Sequence, residues 1–234
     1  MAYAFGAPSI VQDGLVFYVD AANKDSYVNG SSDTFSLANL SLTGSLKNNT
    51  SFISSNAGVW DFDGSDDYID FGTGLGNNLG NYSGNLSFSL WAKTANTTSE
   101  VGLLSLKTVD SNDTATSISM YSNILRLTYG AGANKVLVST STAGITANNW
   151  FQVVGIYTPN EDGKIYVNGN LQSVTSGGTS PSSINFTGLG FYIGTYYNLT
   201  YNFDGQVSNV LIFNKELSAQ EVLQNYNALK PRFN

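Results

Sequence analysis

The 234-residue sequence contains neither cysteine nor histidine. Disulfides, thiolate zinc sites, cysteine nucleophiles and Ser-His-Asp triads are therefore excluded. Charge is scarce as well, at 12% of the chain, and arginine occurs only at Arg126 and Arg232. Nucleic-acid binding needs clustered Lys and Arg to release counterions, and no such stripe exists, so no nucleic-acid partner is expected. No segment approaches the ~20 apolar residues that a membrane helix needs. The first residues, Met1 to Gly6, lack the basic start and apolar run of a signal peptide, so synthesis without secretion is expected.

What is present is a polar, weakly acidic chain with enough apolar mass for one core. Apolar residues make up 41% of it, and the net charge is −7. Asn, Ser, Thr and Gly stand where lysine and glutamate would usually be. Asn-x-Ser/Thr sequons at Asn49, Asn81, Asn85, Asn96 and Asn198 follow from that abundance, and without a secretion signal glycosylation is not expected.

Alternation with period two dominates from Gly14 onward. Leu15, Phe17 and Val19 share one face of a first strand. Leu86, Phe88, Leu90 and Ala92 share one face of another, with Ser87, Ser89 and Lys93 turned outward and Trp91 an aromatic exception among them. Further short runs fall at 100–107, 117–122, 124–130, 135–140, 150–158, 163–168, 171–175, 189–197 and 207–213. Asn168-Gly169 is the strongest hairpin signal, because both residues accept the positive φ of a type I′ turn. Residues 21–57 and 176–188 read as long surface loops with short strand pieces.

One helix is expected, entered at Ser218. Ser218-Ala219-Gln220-Glu221 forms a capping box, Leu217 and Val222 suit a hydrophobic staple, and Val222, Tyr226 and Leu229 make one apolar face. Pro231 stops it. The expected architecture is an all-β, two-sheet antiparallel jelly-roll sandwich with a short C-terminal helix. Its parts are an arm at 1–13, the sandwich at 14–217, and a helix and tail at 218–234 packed on the sandwich.

Two segments carry a family resemblance. Val59-Trp60-Asp61-Phe62-Asp63-Gly64-Ser65-Asp66-Asp67-Tyr68-Ile69-Asp70-Phe71-Gly72 resembles the "F-D-G-x-D-D-Y-I" hairpin of laminin G-like, concanavalin A-like domains. Phe203-Asp204-Gly205-Gln206-Val207 through Ser218 is similar to that family's closing strand and the start of its terminal helix. Between them, Leu86–Lys93, Asn149–Val154 and Lys164–Gly169 resemble further family strands in the family's order. At the ends, Asp13–Asn23 and Tyr226–Phe233 resemble such modules in virion structural proteins of tailed bacteriophages. That likeness implies a capsid-decoration, tail or fibre component on the particle surface. Its partners would be capsid or tail proteins, in a multi-copy array or homo-oligomer, with weak adhesion to cell-surface glycans. A carbohydrate-binding module of a bacterial surface protein is the alternative.

Candidate sites follow. Asp61, Asp63, Asp66, Asp67 and Asp70 have the oxygen chemistry of a calcium site, but Asx-type turn bonding explains Asp66 and Asp67 without an ion. The resemblance places a frequent calcium-ligating aspartate of the wider fold at Ser208, so no cofactor is expected and calcium is the ion to consider. The glutamates are Glu100, Glu161, Glu216 and Glu221, and none falls in the paired-carboxylate strand pattern of glycosidases, so no enzyme is expected. Tyr196, Tyr197, Asn198, Tyr201 and Asn202 form the best ligand candidate, since tyrosine rings stack on sugar faces and amides bond hydroxyls. Tyr3, Phe5 and Ile10 in the arm are candidates for docking on a partner.

Overall fold

The computed structural model describes residues 8–38, 42–107, 114–130, 136–196 and 199–233. Two antiparallel sheets form the body. The eight-stranded sheet runs from Asn170–Leu171 through Lys164–Val167, Trp150–Tyr157, Leu86–Thr94, Asp204–Phe213 and Val59–Asp63 to Ser51–Ile53, and Leu15–Asp20 also pairs with Asp204–Phe213. The nine-stranded sheet runs from Val174–Gly177 through Val136–Thr140, Ile124–Tyr129, Thr114–Tyr121, Val101–Lys107, Gly190–Ile193, Tyr68–Asp70 and Thr43–Lys47 to Asp33–Phe35.

The core lies between the sheets because alternation turns one set of side chains inward from each. Phe17, Phe88, Leu90 and Val210 from one sheet meet Leu104, Ile118, Leu127 and Phe191 from the other in one buried cluster. Phe17 sits edge-on to Phe71 and to Phe191, each at 5.0 Å between ring centres. The Asn168-Gly169 turn takes φ of 50° and 80°, the two positive values that a type I′ hairpin requires.

A second apolar cluster lies on the far side of the eight-stranded sheet. There the helix Ala219–Leu229 covers Trp91, Val154, Leu211 and Phe213 with Val222 and Leu229. The capping box is complete: Ser218 Oγ accepts from the Glu221 N–H, and the Glu221 carboxylate accepts from the Ser218 N–H at 2.9 Å. Such a cap is worth about 1 kcal/mol. Lys215 donates to both Asp13 and Glu221, which holds the Glu221 carboxyl below its ordinary value and draws the chain's two ends together.

Three features depart from the sequence expectation. Ser87, Ser89 and Trp91 point away from the core yet are buried, because the helix and tail cover that face. Trp91 stacks on Tyr226 at 5.4 Å and on Phe233 at 4.3 Å. The arm also has a partner: Val11 donates its N–H to Asn225 Oδ1 at 2.8 Å, and Gln224 donates to the Ser9 carbonyl at 2.8 Å. Ile10 is half-buried against the second cluster and so is not a free docking residue, while Tyr3 and Phe5 lie outside the described residues. Finally, Gly74–Leu79 forms a short helix that its Gly- and Asn-rich sequence does not advertise, anchored by buried Leu75.

Arg232 ties the tail to the first strand. Its guanidinium donates to both Asp20 oxygens at 2.9 and 3.0 Å and also reaches the carbonyls of Asn56 and Gly58. The Asp20 side chain is only 8% exposed. Removing its cation leaves a buried carboxylate that Tyr18 and the Ala22 N–H only partly satisfy. Arg232→Ala is therefore expected to cost about 2–3 kcal/mol, read as a lower urea midpoint. Adding Asp20→Asn should recover part of the loss. Additivity of the two substitutions would show that the pair is not coupled.

Candidate functional site

The hairpin Thr195–Tyr196/Tyr201–Asn202 lies across the outward face of the nine-stranded sheet. Ser105 Oγ donates to the Thr195 carbonyl at 2.9 Å, and the Gly194 N–H donates to the Leu103 carbonyl at 3.0 Å. These bonds fix the hairpin to the strand Val101–Lys107. Its tyrosines, Tyr196 and Tyr201, stack at 5.1 Å with their planes 27° apart.

Beside them is an open cavity of about 480 Å³ lined by Glu100, Ser119, Arg126, Thr128, Leu137, Tyr196 and Tyr201. The strands explain this lining. Ser119 pairs with Arg126, Ser117 with Thr128 and Thr128 with Leu137, so the polar side of each alternating strand arrives on one surface. Arg126 donates to Glu100 at 3.0 Å and lies over the Tyr121 ring at 5.1 Å. The Tyr196 hydroxyl also donates to Glu100. Burial, then the bond to Glu100, holds the Tyr196 phenol well above its ordinary range, so it remains a donor at all physiological pH. Tyr121 and Leu137 are the exposed edges, at 42% and 40%.

Two of the five expected ligand residues thus face the cavity. Tyr197 and Asn198 lie outside the described residues. Asn202 is turned inward: its Oδ1 accepts from Thr195 Oγ1 at 2.8 Å, and its amide donates to the Ser65 and Leu199 carbonyls. These bonds build the hairpin, and Asn202 does not line the cavity beside the tyrosines. Sequence reasoning missed Tyr121, Arg126, Ser119, Thr128 and Leu137. Their signal was present in the alternation, since Ser117, Ser119 and Tyr121 share a face and Arg126 and Thr128 share the one beside it.

The acidic run behaves as a turn. The Asp63, Asp66 and Asp67 carboxylates lie within 4.8 Å of one another. Asp67 is buried and accepts from the Asn49 and Asp63 N–H groups, and Asp63 accepts from Ser65. Burial raises the Asp67 carboxyl above its usual value, ahead of the repulsion from Asp63 and Asp66. At the position where the resemblance expects a calcium ligand, Ser208 is fully buried and its hydroxyl accepts from Asn209 at 3.3 Å. That donor set does not fit a calcium ion.

A family model described as the concanavalin A-like lectin/glucanases superfamily matches residues 63–223. The chain belongs to that superfamily. Among solved structures, it is similar to a Trypanosoma rangeli sialidase in complex with the inhibitor DANA, at 16% identity and TM-score 0.67, covering 99% of this chain and 37% of that one. It is also similar to the ligand binding domain of botulinum neurotoxin serotype D in complex with N-acetylneuraminic acid, at 15% identity and TM-score 0.65, covering 92% and 50%. A third is the binding domain of botulinum neurotoxin DC in complex with rat synaptotagmin II, at 14% identity and TM-score 0.68, covering 94% and 52%. The chain spans only about a third to a half of these structures' length, and at such identities the likeness is one of fold. No curated protein matches in sequence.

The comparisons correct one expectation. The missing glycosidase carboxylate pattern argued that the chain is not an enzyme, yet the superfamily covers glucanases alongside lectins, and several of the matching structures are sialidases. Membership in this superfamily is compatible with catalysis and with binding, so the fold does not sustain the exclusion.

Proposed function

We propose that the chain is a saccharide-binding attachment module whose contact surface is the outward face of the nine-stranded sheet. The observation that carries this reading is the stacked Tyr196–Tyr201 pair standing over a hydroxyl-lined cavity. Aromatic rings offer an apolar platform to the C–H faces of a sugar ring, while Ser119, Thr128 and Arg126 offer hydrogen-bonding groups to its hydroxyls. The superfamily's lectins and the glycan-bound toxin domain support it at the level of fold.

Tyr201→Ala is expected to weaken glycan binding by roughly tenfold, the loss of one good aromatic contact, with little change in thermal midpoint. A glycan array followed by calorimetry on the best hit reads the effect. Unchanged affinity would end the proposal for this face.

A second reading places the module in the virion of a tailed bacteriophage, on the particle surface, in many copies against capsid or tail proteins. What favours it is that the two segments with the phage-like resemblance meet in space. Leu15–Asp20 pairs with the closing strand, and Arg232 from the other segment clamps Asp20. Mass spectrometry of purified particles is the test, and particles lacking the protein would refute it.

A further inference from the structure

We infer that this face selects uncharged saccharides and disfavours sialylated or uronate-bearing ones; the inference rests on the saccharide-binding reading above. The argument is electrostatic and begins with the cavity's cation. Arg126 is already engaged, donating to Glu100 at 3.0 Å and lying over Tyr121 at 5.1 Å, so the pair brings no net positive charge to the surface. Lys107 comes from the adjoining strand but is fully buried and offers a ligand no direct contact. Among the described residues lining the cavity there is no other cation.

Negative charge, by contrast, accumulates beside it. A second cavity of about 220 Å³ shares Glu100 and is lined also by Asp63 and Asp204. Asp204 lies against Asp61 and Asp63, and burial followed by their repulsion pushes its carboxyl above the usual value. The whole chain carries −7. A ligand carboxylate would therefore approach Asp63 and Asp204, while Arg126, the cation among the described lining residues, is already neutralised by Glu100. The rest of the lining suits a neutral sugar: hydroxyls of Ser119 and Thr128, the apolar edge of Leu137, and two tyrosine rings. A sialidase and a toxin domain of this fold are described with sialic acid and N-acetylneuraminic acid, but they share only the fold with this chain, so their ligand chemistry does not carry over.

A printed array in which each neutral oligosaccharide is paired with its sialylated or uronic-acid counterpart tests the inference. The neutral member of each binding pair is expected to be tighter by roughly fivefold, the effect of one unit of like-charge repulsion near 4 Å in water. Asp204→Asn, in the neighbouring acidic cavity and outside the tyrosine-lined one, should narrow that ratio, and so should raising the salt concentration, while binding of the neutral member persists. Equal or tighter binding of the acidic member by the native protein would overturn the inference and leave the site reading intact, provided that Tyr201→Ala still weakens binding. Failure of every neutral and acidic glycan to bind would overturn both.

Discussion

Gly205→Ala is expected to destabilise the protein by about 3 kcal/mol, a large share of the roughly 5–15 kcal/mol that holds a domain of ordinary stability folded. Gly205 sits at the start of the closing strand with φ 148°, and a Cβ there would stand 2.1 Å from the Lys93 carbonyl oxygen and 2.9 Å from the Thr94 Cα. These are backbone atoms of the strand Leu86–Thr94, so no rotamer change relieves the overlap. The residue also pairs with Phe62 on its other side. Movement away from Lys93 must therefore disturb the Val59–Asp63 pairing as well. Gly72 is the internal control, because it has φ 57° but nothing within 4 Å of the place a Cβ would occupy. Gly72→Ala should cost only about 1–2 kcal/mol, the conformational strain alone. Urea denaturation followed by tryptophan fluorescence separates the two. Equal losses would mean that backbone conformation, and not the collision with Lys93, explains the glycine.

Much of this architecture was legible because two short-range signals were strong. Period-two alternation located Leu86–Thr94, Trp150–Tyr157 and Asp204–Phe213, and the capping box at Ser218 located the terminal helix. The covered outer face was not legible. Alternation assigns Ser89 and Trp91 to an outward side, but only the long-range docking of a helix more than a hundred residues away decides whether that side meets water. The short helix Gly74–Leu79 was missed for a related reason, since weak helix formers take that shape only when tertiary contacts such as buried Leu75 hold them. At the candidate site, the tyrosines announced themselves as a dense aromatic run. Arg126 and Glu100 did not, because their significance lies in a pairing across strands that spacing alone does not fix. Asn202 shows the converse: its composition suited a sugar contact, but its bonds to Thr195, Ser65 and Leu199 hold the hairpin.

The substitution most informative about function is Gly102→Ala, which should cut saccharide affinity by at least about tenfold while costing only about 1–2 kcal/mol of stability. Gly102 lies on the strand beneath the tyrosine hairpin, and a Cβ there would come within 2.5 Å of the Thr195 carbonyl carbon and the Tyr196 nitrogen. Ordinary contact requires roughly an ångström more, so the hairpin must lift from the sheet. That lift strains the Ser105–Thr195 bond and shifts Tyr196 relative to Glu100, while the core on the opposite side of the sheet stays packed. Tyr201→Ala removes a contact surface, whereas Gly102→Ala keeps both rings and moves them. Loss of affinity in both variants, measured where urea curves show each still fully folded, would show that the position of the stacked pair matters as well as its presence. Retained affinity in Gly102→Ala would mean that the ligand does not depend on the seating of this hairpin, and the binding surface would then have to be sought elsewhere on the sandwich.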